Sequence, residues 1–176
     1  MAPGSKLSVS HNREGPRMPR VWQMIHSFFT GAPPSRRLWQ SRIPVVALVA
    51  NEQDRQLLAR VSSLEPLEMH FVASRDEASS LANELTAPVI LLDRDWPGTE
   101  WRVMVQNLAA SPHQACVVLV SALADDHLWQ ELVRQGGYDI LVKPLREEDV
   151  NRVIKLAVSY WISITRTAMP SLGSGK

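Results

Sequence analysis

A single cysteine, Cys116, stands among the 176 residues, so no disulfide can form within the chain and nothing points to an oxidising compartment. It sits in the apolar run Ala-Cys-Val-Val-Leu-Val, where a buried, inert thiol is expected. Long hydrophobic runs are also missing. None approaches the roughly 18–20 residues that a membrane span needs. The stretch VWQMIHSFF at 21–29 follows basic residues but is broken by Gln23, His26 and Ser27, which makes a poor signal-peptide core. A cytoplasmic location is therefore expected. No glycine-rich loop runs into Lys-Ser or Lys-Thr, which removes the commonest nucleotide-phosphate cradle. The five histidines (His11, His26, His70, His113 and His127) show no metal-ligand spacing, and no Asp-x-His-x-x-Gly pattern suggests cobalamin.

The formal net charge is only +1, but it is unevenly spread. Residues 1–42 hold seven Lys/Arg against one acid, Glu14, whereas the remaining 134 residues carry a net charge of −5. The basic segment could touch nucleic acid or an acidic partner. At this charge density a solvated leader is the commoner outcome. Its Gly, Pro, Ser and Arg clusters (GAPPSRR at 31–37) predict a mostly disordered leader over 1–42, with one short helix around Val21–Phe29.

From residue 43 the pattern changes. Short apolar runs at 44–49, 69–73, 88–92, 115–120 and 139–142 read as strands, and the stretches between them have helical spacing. Leu57, Leu58, Val61 and Leu64 fall on one helical face; so do Ala78, Leu81 and Leu85, then Trp101, Val105 and Leu108. Leu128, Leu132 and Val133 mark a fourth helix. A fifth, opened by the acids Glu147, Glu148 and Asp149, runs through Val150, Val153, Ile154, Ala157 and Trp161. Five strands alternating with five helices predict an α/β domain over 43–162, with a parallel sheet covered on both faces, and a flexible tail over 163–176. In such a sheet the functional crevice lies beyond the carboxyl ends of the strands.

Those ends carry Asp93 after the third strand, Ser121 after the fourth and Lys143-Pro144 after the fifth. Each alone has an ordinary structural explanation: a cap, a turn former, a solvated cation. Together at three successive strand ends, a carboxylate, a hydroxyl and an ammonium suit phosphoryl transfer to the carboxylate, with two donors to offset charge on the equatorial oxygens.

These residues also carry a family resemblance. Leu91-Leu92-Asp93-Arg94-Asp95-Trp96-Pro97-Gly98, Val120-Ser121-Ala122 with Asp125, and Gly136-Gly137-Tyr138-Asp139 leading into Val142-Lys143-Pro144-Leu145 resemble the three motifs of the receiver domain of two-component response regulators. The wording around Trp101, Trp129 and Gly136–Asp139 is similar to single-domain receivers of acidobacteria. The resemblance covers about two-thirds of the chain. It implies a flavodoxin-like doubly wound (βα)5 fold with strand order 2-1-3-4-5 and no enzymatic activity of its own. It further implies Asp93 as phospho-acceptor, Ser121 as switch hydroxyl, Lys143 as phosphoryl contact and a cis peptide before Pro144. The implied partners are a histidine kinase or phosphotransfer protein upstream and an output protein on the face of the fourth helix, fifth strand and fifth helix, where Trp129, Trp161 and Tyr138 fall. The few residues after the fifth helix leave no room for a DNA-binding domain, so output through protein contacts is expected.

Two positions depart from the family pattern. Receivers place an acidic pair after the first strand to hold Mg²⁺; here that position reads Ala50-Asn51 or Asn51-Glu52. The resemblance then implies at most a weak Mg²⁺ site drawn from Asn51, Glu52, Asp93 and Asp95. Ile140 stands where many receivers carry an aromatic readout residue, and Tyr138 would replace it only from the start of the strand. Two other readings stay open. A receiver that is never phosphorylated would act purely as an interaction module. Asp93-Arg94-Asp95 also resembles the first motif of haloacid-dehalogenase-type phosphatases, although Pro97, the lack of an acidic pair after Lys143 and the two βα units before Asp93 count against it.

Overall fold

The computed structural model describes residues 42–168, Thr99 excepted. The leader expected over 1–42, with its short helix, therefore lies outside the described residues except for Arg42, as does the chain from 169 onward. Five βα units follow in order: β1 Ile43–Leu48, α1 Glu52–Leu64, β2 Leu67–Phe71, α2 Arg75–Leu85, β3 Val89–Asp93, α3 Trp101–Ala109, β4 Cys116–Ser121, α4 Asp126–Arg134, β5 Asp139–Val142 and α5 Glu147–Ala168. The strands form one parallel sheet in the order β2-β1-β3-β4-β5, the flavodoxin-like topology. Helix α5 runs on past residue 162, where the sequence reading sets the end of the domain.

Alternation along the strands builds two cores. Val45, Ala47, Val89, Leu91, Val118, Val120 and Leu141 pack with α1 and α5 on one face. Val46, Leu48, Ile90, Leu92, Val117 and Leu119 pack with α2, α3 and α4 on the other. β1, β3 and β4 are buried at every position, which is why they read as unbroken apolar runs. Helix starts are fixed locally. Asn51, Ser74 and Asp125 each accept a hydrogen bond from the backbone N–H three residues on, at 3.1, 3.2 and 2.7 Å. Just past the end of α4 the chain turns at Gly136, whose φ of +88° suits glycine, and the next residues feed β5 through Tyr138 N donating to Val117 O at 2.7 Å.

Three expectations need correction. β2 begins at Leu67 rather than 69, because Leu67 pairs with Ile43 at the start of the ladder and Val72 closes it by donating to Ala47 O. Leu64 is 71% exposed, since it ends α1 where the chain leaves for β2. Val133 is also exposed. Leu128 and Leu132, one helical turn apart, set the buried stripe of α4, and Val133 lies about 100° round from Leu132.

Trp161 is core, its indole N–H donating to the His113 carbonyl at 2.7 Å, while Trp129 stands half exposed on α4. Cys116 is buried, its thiol facing Ala157 O at 3.4 Å, and burial pushes its pKa up to about 12. A disulfide-exchange reagent at neutral pH should therefore label native Cys116 at least about 100-fold more slowly than the denatured chain. Gly137 lies against α4 so closely that an added Cβ would fall 2.2 Å from Leu132 Cδ1 and 3.1 Å from its carbonyl oxygen. Gly137→Ala should cost about 1–3 kcal/mol in a denaturant titration through overpacking.

Candidate functional site

Strand parity decides what meets at the carboxyl edge of the sheet. Asp93 has the parity of Val89 and Leu91, and Lys143 that of Leu141, so both point to the face covered by α1 and α5. Their side chains meet there. Lys143 Nζ donates to Asp93 Oδ2 at 3.0 Å. Asp93 is 3% exposed, and its other contacts are backbone donors: Ala50 N to Oδ2 at 3.4 Å and Asp95 N to Oδ1 at 3.3 Å. The peptide between Lys143 and Pro144 is cis.

A third charged group completes the cluster, one that the sequence reading passed over. Asp54, in the first turn of α1, places Oδ2 3.0 Å from Lys143 Nζ. This contact is an ion pair without hydrogen-bond alignment, whereas the contact with Asp93 is a hydrogen bond. Lys143 is therefore held between two buried carboxylates. Burial alone would lower its pKa, but the hydrogen bond and the charges of Asp93 and Asp54 outweigh burial and hold it above the ordinary lysine value.

The other expected residues stand apart from this cluster. Asn51 Oδ1 caps α1 by accepting from Asp54 N at 3.1 Å. Glu52 is exposed, accepting from Gln56 at 3.2 Å and facing Arg55 at 3.8 Å. Asp95 reaches the acceptor only through its backbone N–H, its side chain being exposed. Ser121 has the opposite parity from Asp93 and is fully buried; its Oγ accepts from Leu123 N at 3.1 Å, so the hydroxyl is engaged with its own loop. Ile140 packs into the α2–α4 core. Tyr138, just before β5, packs on the α1–α5 side with its ring 5.3 Å from that of Tyr160, so the two residues face different layers.

The donor set does not fit a Mg²⁺ site of the expected kind. Mg²⁺ takes oxygen ligands in near-octahedral geometry, and Asn51 and Glu52 are committed elsewhere. The two carboxylates that do face each other enclose an ammonium. No group of three or more His, Cys, Asp or Glu side chains among the described residues is placed to hold a metal. Beside the cluster runs a groove of about 440 Å³, lined by Ala50, Glu52, Arg55, Phe71, Glu77 and Trp96. The Arg55 guanidinium stacks there over Phe71, 4.5 Å from the ring centroid.

No family model matches the chain. Over 113 residues it is 22% identical to regulatory protein AtoC of Escherichia coli strain K12; the match covers 63% of this chain and 24% of AtoC, so the chain corresponds to about a quarter of that relative. Among solved structures, chemotaxis protein CheY4 of Vibrio cholerae superposes with a TM-score of 0.60 at 19% identity, covering 66% of this chain and 98% of that one. The signal receiver domain of an HD domain-containing protein from Pseudomonas fluorescens Pf-5 superposes at 0.64 and 16%, covering 77% and 96%. A putative response regulator from Chloroflexus aurantiacus gives 0.60 and 16%, covering 67% and 98%. The fold is that of CheY-like receiver domains.

The ion triad should register in stability. Lys143→Met leaves two carboxylates buried without their cation. The loss should be about 2 kcal/mol, less than the ~3–5 kcal/mol of a fully buried pair, because the Lys143 side chain keeps 21% of its surface exposed. Since the folded lysine pKa is raised, its contribution is whole below the unfolded value near 10.5 and disappears as pH rises through the folded value. Denaturant titrations across pH should show the difference between wild type and Lys143→Met constant through the neutral range and closing only above 10.5.

Proposed function

We propose that this chain is a receiver in phosphorelay signalling, with Asp93 as the phosphoryl acceptor. The observation that carries the reading is the buried Asp93 carboxylate at the carboxyl end of the central strand, hydrogen-bonded by the Lys143 ammonium. The donor is a phosphohistidine on a histidine kinase or phosphotransfer protein, approaching along the groove beside Ala50 and Trp96. An Asp93 oxygen forms a bond to phosphorus as the P–N bond breaks, and the electron pair leaves with the imidazole, giving an acyl phosphate. Lys143 then balances charge on the phosphoryl oxygens. Ser121, whose oxygen already accepts from Leu123 N, retains its own O–H to donate once the loop before α4 shifts inward. No step is assigned to Mg²⁺, because the residues present do not supply its ligands.

The size of the switch follows from what is new on phosphorylation. Moving a two-state equilibrium from mostly off to mostly on takes about 5.5 kcal/mol of differential stabilisation. A charge-assisted hydrogen bond supplies roughly 1.5–3 kcal/mol. Lys143 is bonded to Asp93 before the reaction, so only the change in that bond counts, with the new Ser121 bond added to it. The response is a partial shift. Its output goes through protein contacts on α4, β5 and α5, where Trp129, Val142 and Tyr160 are about half exposed. The setting is the cytoplasm; among the described residues no helix is long and apolar enough to cross a membrane.

One observation favours a second reading. Ala50, where a receiver carries an acid, gives Asp93 only a backbone N–H, which suits an interaction module that is never phosphorylated. Incubation with acetyl phosphate followed by intact-mass analysis separates the two. A single phosphoryl adduct, absent in Asp93→Asn and depleted about tenfold or more in Lys143→Met, is expected of the receiver; no adduct from acetyl phosphate, phosphoramidate or any phosphohistidine donor leaves the interaction module. Turnover of a small phosphate ester lost in Asp95→Asn would instead mark a phosphatase, a role for which the exposed Asp95 side chain is poorly placed.

A further inference from the structure

Asp54 is the one buried charged group at the sheet edge that the phosphoryl-transfer scheme leaves unused. It is 9% exposed; among the described residues its Oδ2 accepts no hydrogen bond, and that oxygen's polar contact is the ion pair with Lys143 at 3.0 Å. The first turn of α1 fixes it there. Asn51 caps that turn through Asp54's own backbone N–H, which fixes the backbone from which the carboxylate projects towards Lys143. At Asp54, six residues past the end of β1, a carboxylate suits the helix dipole, and that local role accounts for its acidity without reference to the sheet edge.

We infer that Asp54 is a restraining carboxylate, a positioning residue that holds Lys143 against an incoming phosphoryl group and so slows phosphorylation of Asp93. This rests on the reading of Asp93 as acceptor. The charges make the case. Asp93 and Asp54 bring two negative charges and Lys143 one positive, so the cluster is net −1 before any donor arrives. The same ammonium is within 3.0 Å of both carboxylates and, among the described residues, is the only cation paired with either. An anionic donor meets a net negative site, and its phosphoryl oxygens must draw Lys143 from Asp54 to be compensated. In a site shielded from water this competition is weakly screened.

Among the described residues no second cation forms an ion pair with Asp93 or Asp54. Arg55, the nearest basic residue along α1, is turned to the Val49 carbonyl at 3.3 Å and to the face of Phe71. The donors on Asp93 from Ala50 and Asp95 are neutral backbone N–H groups. Removing the Asp54 charge should therefore do what a bound cation would do elsewhere. It should leave Lys143 bound to Asp93 alone and the site net neutral.

The test follows adduct formation on the full chain, with acetyl phosphate in buffer containing a metal chelator. An Asp93 oxygen bonds to phosphorus as the donor's P–O bond breaks, and the electron pair leaves with acetate. Asp54→Asn should form the Asp93 adduct about tenfold faster than wild type, and Asp54→Ser, which also removes the charge, should match it. Asp54→Glu, which restores the charge, should return the rate to that of wild type. Thermal melts confirm that each variant is folded, and a misfolded chain would not gain rate. Adduct formation in Asn and Ser variants no faster than in wild type would overturn the restraining role while leaving Asp93 as acceptor. A Glu variant as fast as the Asn variant would overturn it too, since charge would not be the cause. If no chain, including Asp54→Asn, forms an Asp93-dependent adduct with acetyl phosphate, with Mg²⁺ added or chelated, the restraining role falls; the receiver reading falls with it only when phosphoramidate and phosphohistidine donors also give none.

Discussion

The Lys143 ammonium ties together three parts of the sheet edge by charge, above the apolar core they share. It comes from the end of β5, bonds the carboxylate at the end of β3 and pairs with the carboxylate on the first turn of α1. Burying Asp93 and Asp54 without it would place two like charges together in a medium that solvates neither. Much of the surrounding architecture is consistent with this need. The parity of β3 and β5 turns both side chains to one face, and the Asn51 cap anchors the helical turn that presents Asp54.

The two faces of the sheet have separate tasks as a result. The α1–α5 face holds the charged cluster above a core that includes Val45, Leu91, Val120 and Trp161. The α2–α4 face carries Ser121's loop and is cross-braced at its surface, where Arg102 of α3 makes a two-pronged ion pair with Glu131 of α4 and also reaches Glu100. Each partner holds the other's charge, with the Arg102 pKa raised and that of Glu131 lowered chiefly by their mutual hydrogen bonds. Asp93 and Ser121 face opposite sides of the sheet, so under the proposed role a rearrangement that begins at Asp93 would cross the sheet at these strand ends. Tyr138 and Ile140 do not offer a second crossing, because they sit in different layers.

The fold was largely legible because strands buried on both faces must be apolar throughout, and β1, β3 and β4 announce themselves that way. The edge strand β2 was placed two residues late, since an edge strand covered on one side is only partly apolar and its register is set by pairing with β1. The same logic divides the site. Asp93 and Lys143 could be found because each ends a recognisable strand, and parity then brings them together. Asp54 could not be found by looking at strand ends. It is a helix residue whose acidity has an adequate local explanation, and only the packing of α1 against the sheet shows that its carboxylate points at Lys143. Asn51 and Glu52 stand at the other extreme. Their chemistry suits a metal, while in this structure Asn51 caps α1 and Glu52 accepts from Gln56.

The distances along the chain between the members of the triad have a consequence for how the domain matures. Asp54 belongs to the first helix, Asp93 to the third strand and Lys143 to the last, so no fragment ending before β5 can assemble the triad. Until β5 docks beside β4, the central strand presents an unneutralised carboxylate, and the sheet is open along the edge that β5 will occupy. Chemical competence and structural completion thus arrive in the same step. Under the proposed role, a nascent or truncated copy holding Asp93 but lacking Lys143 would accept a phosphoryl group only poorly, so competence would come with the last strand.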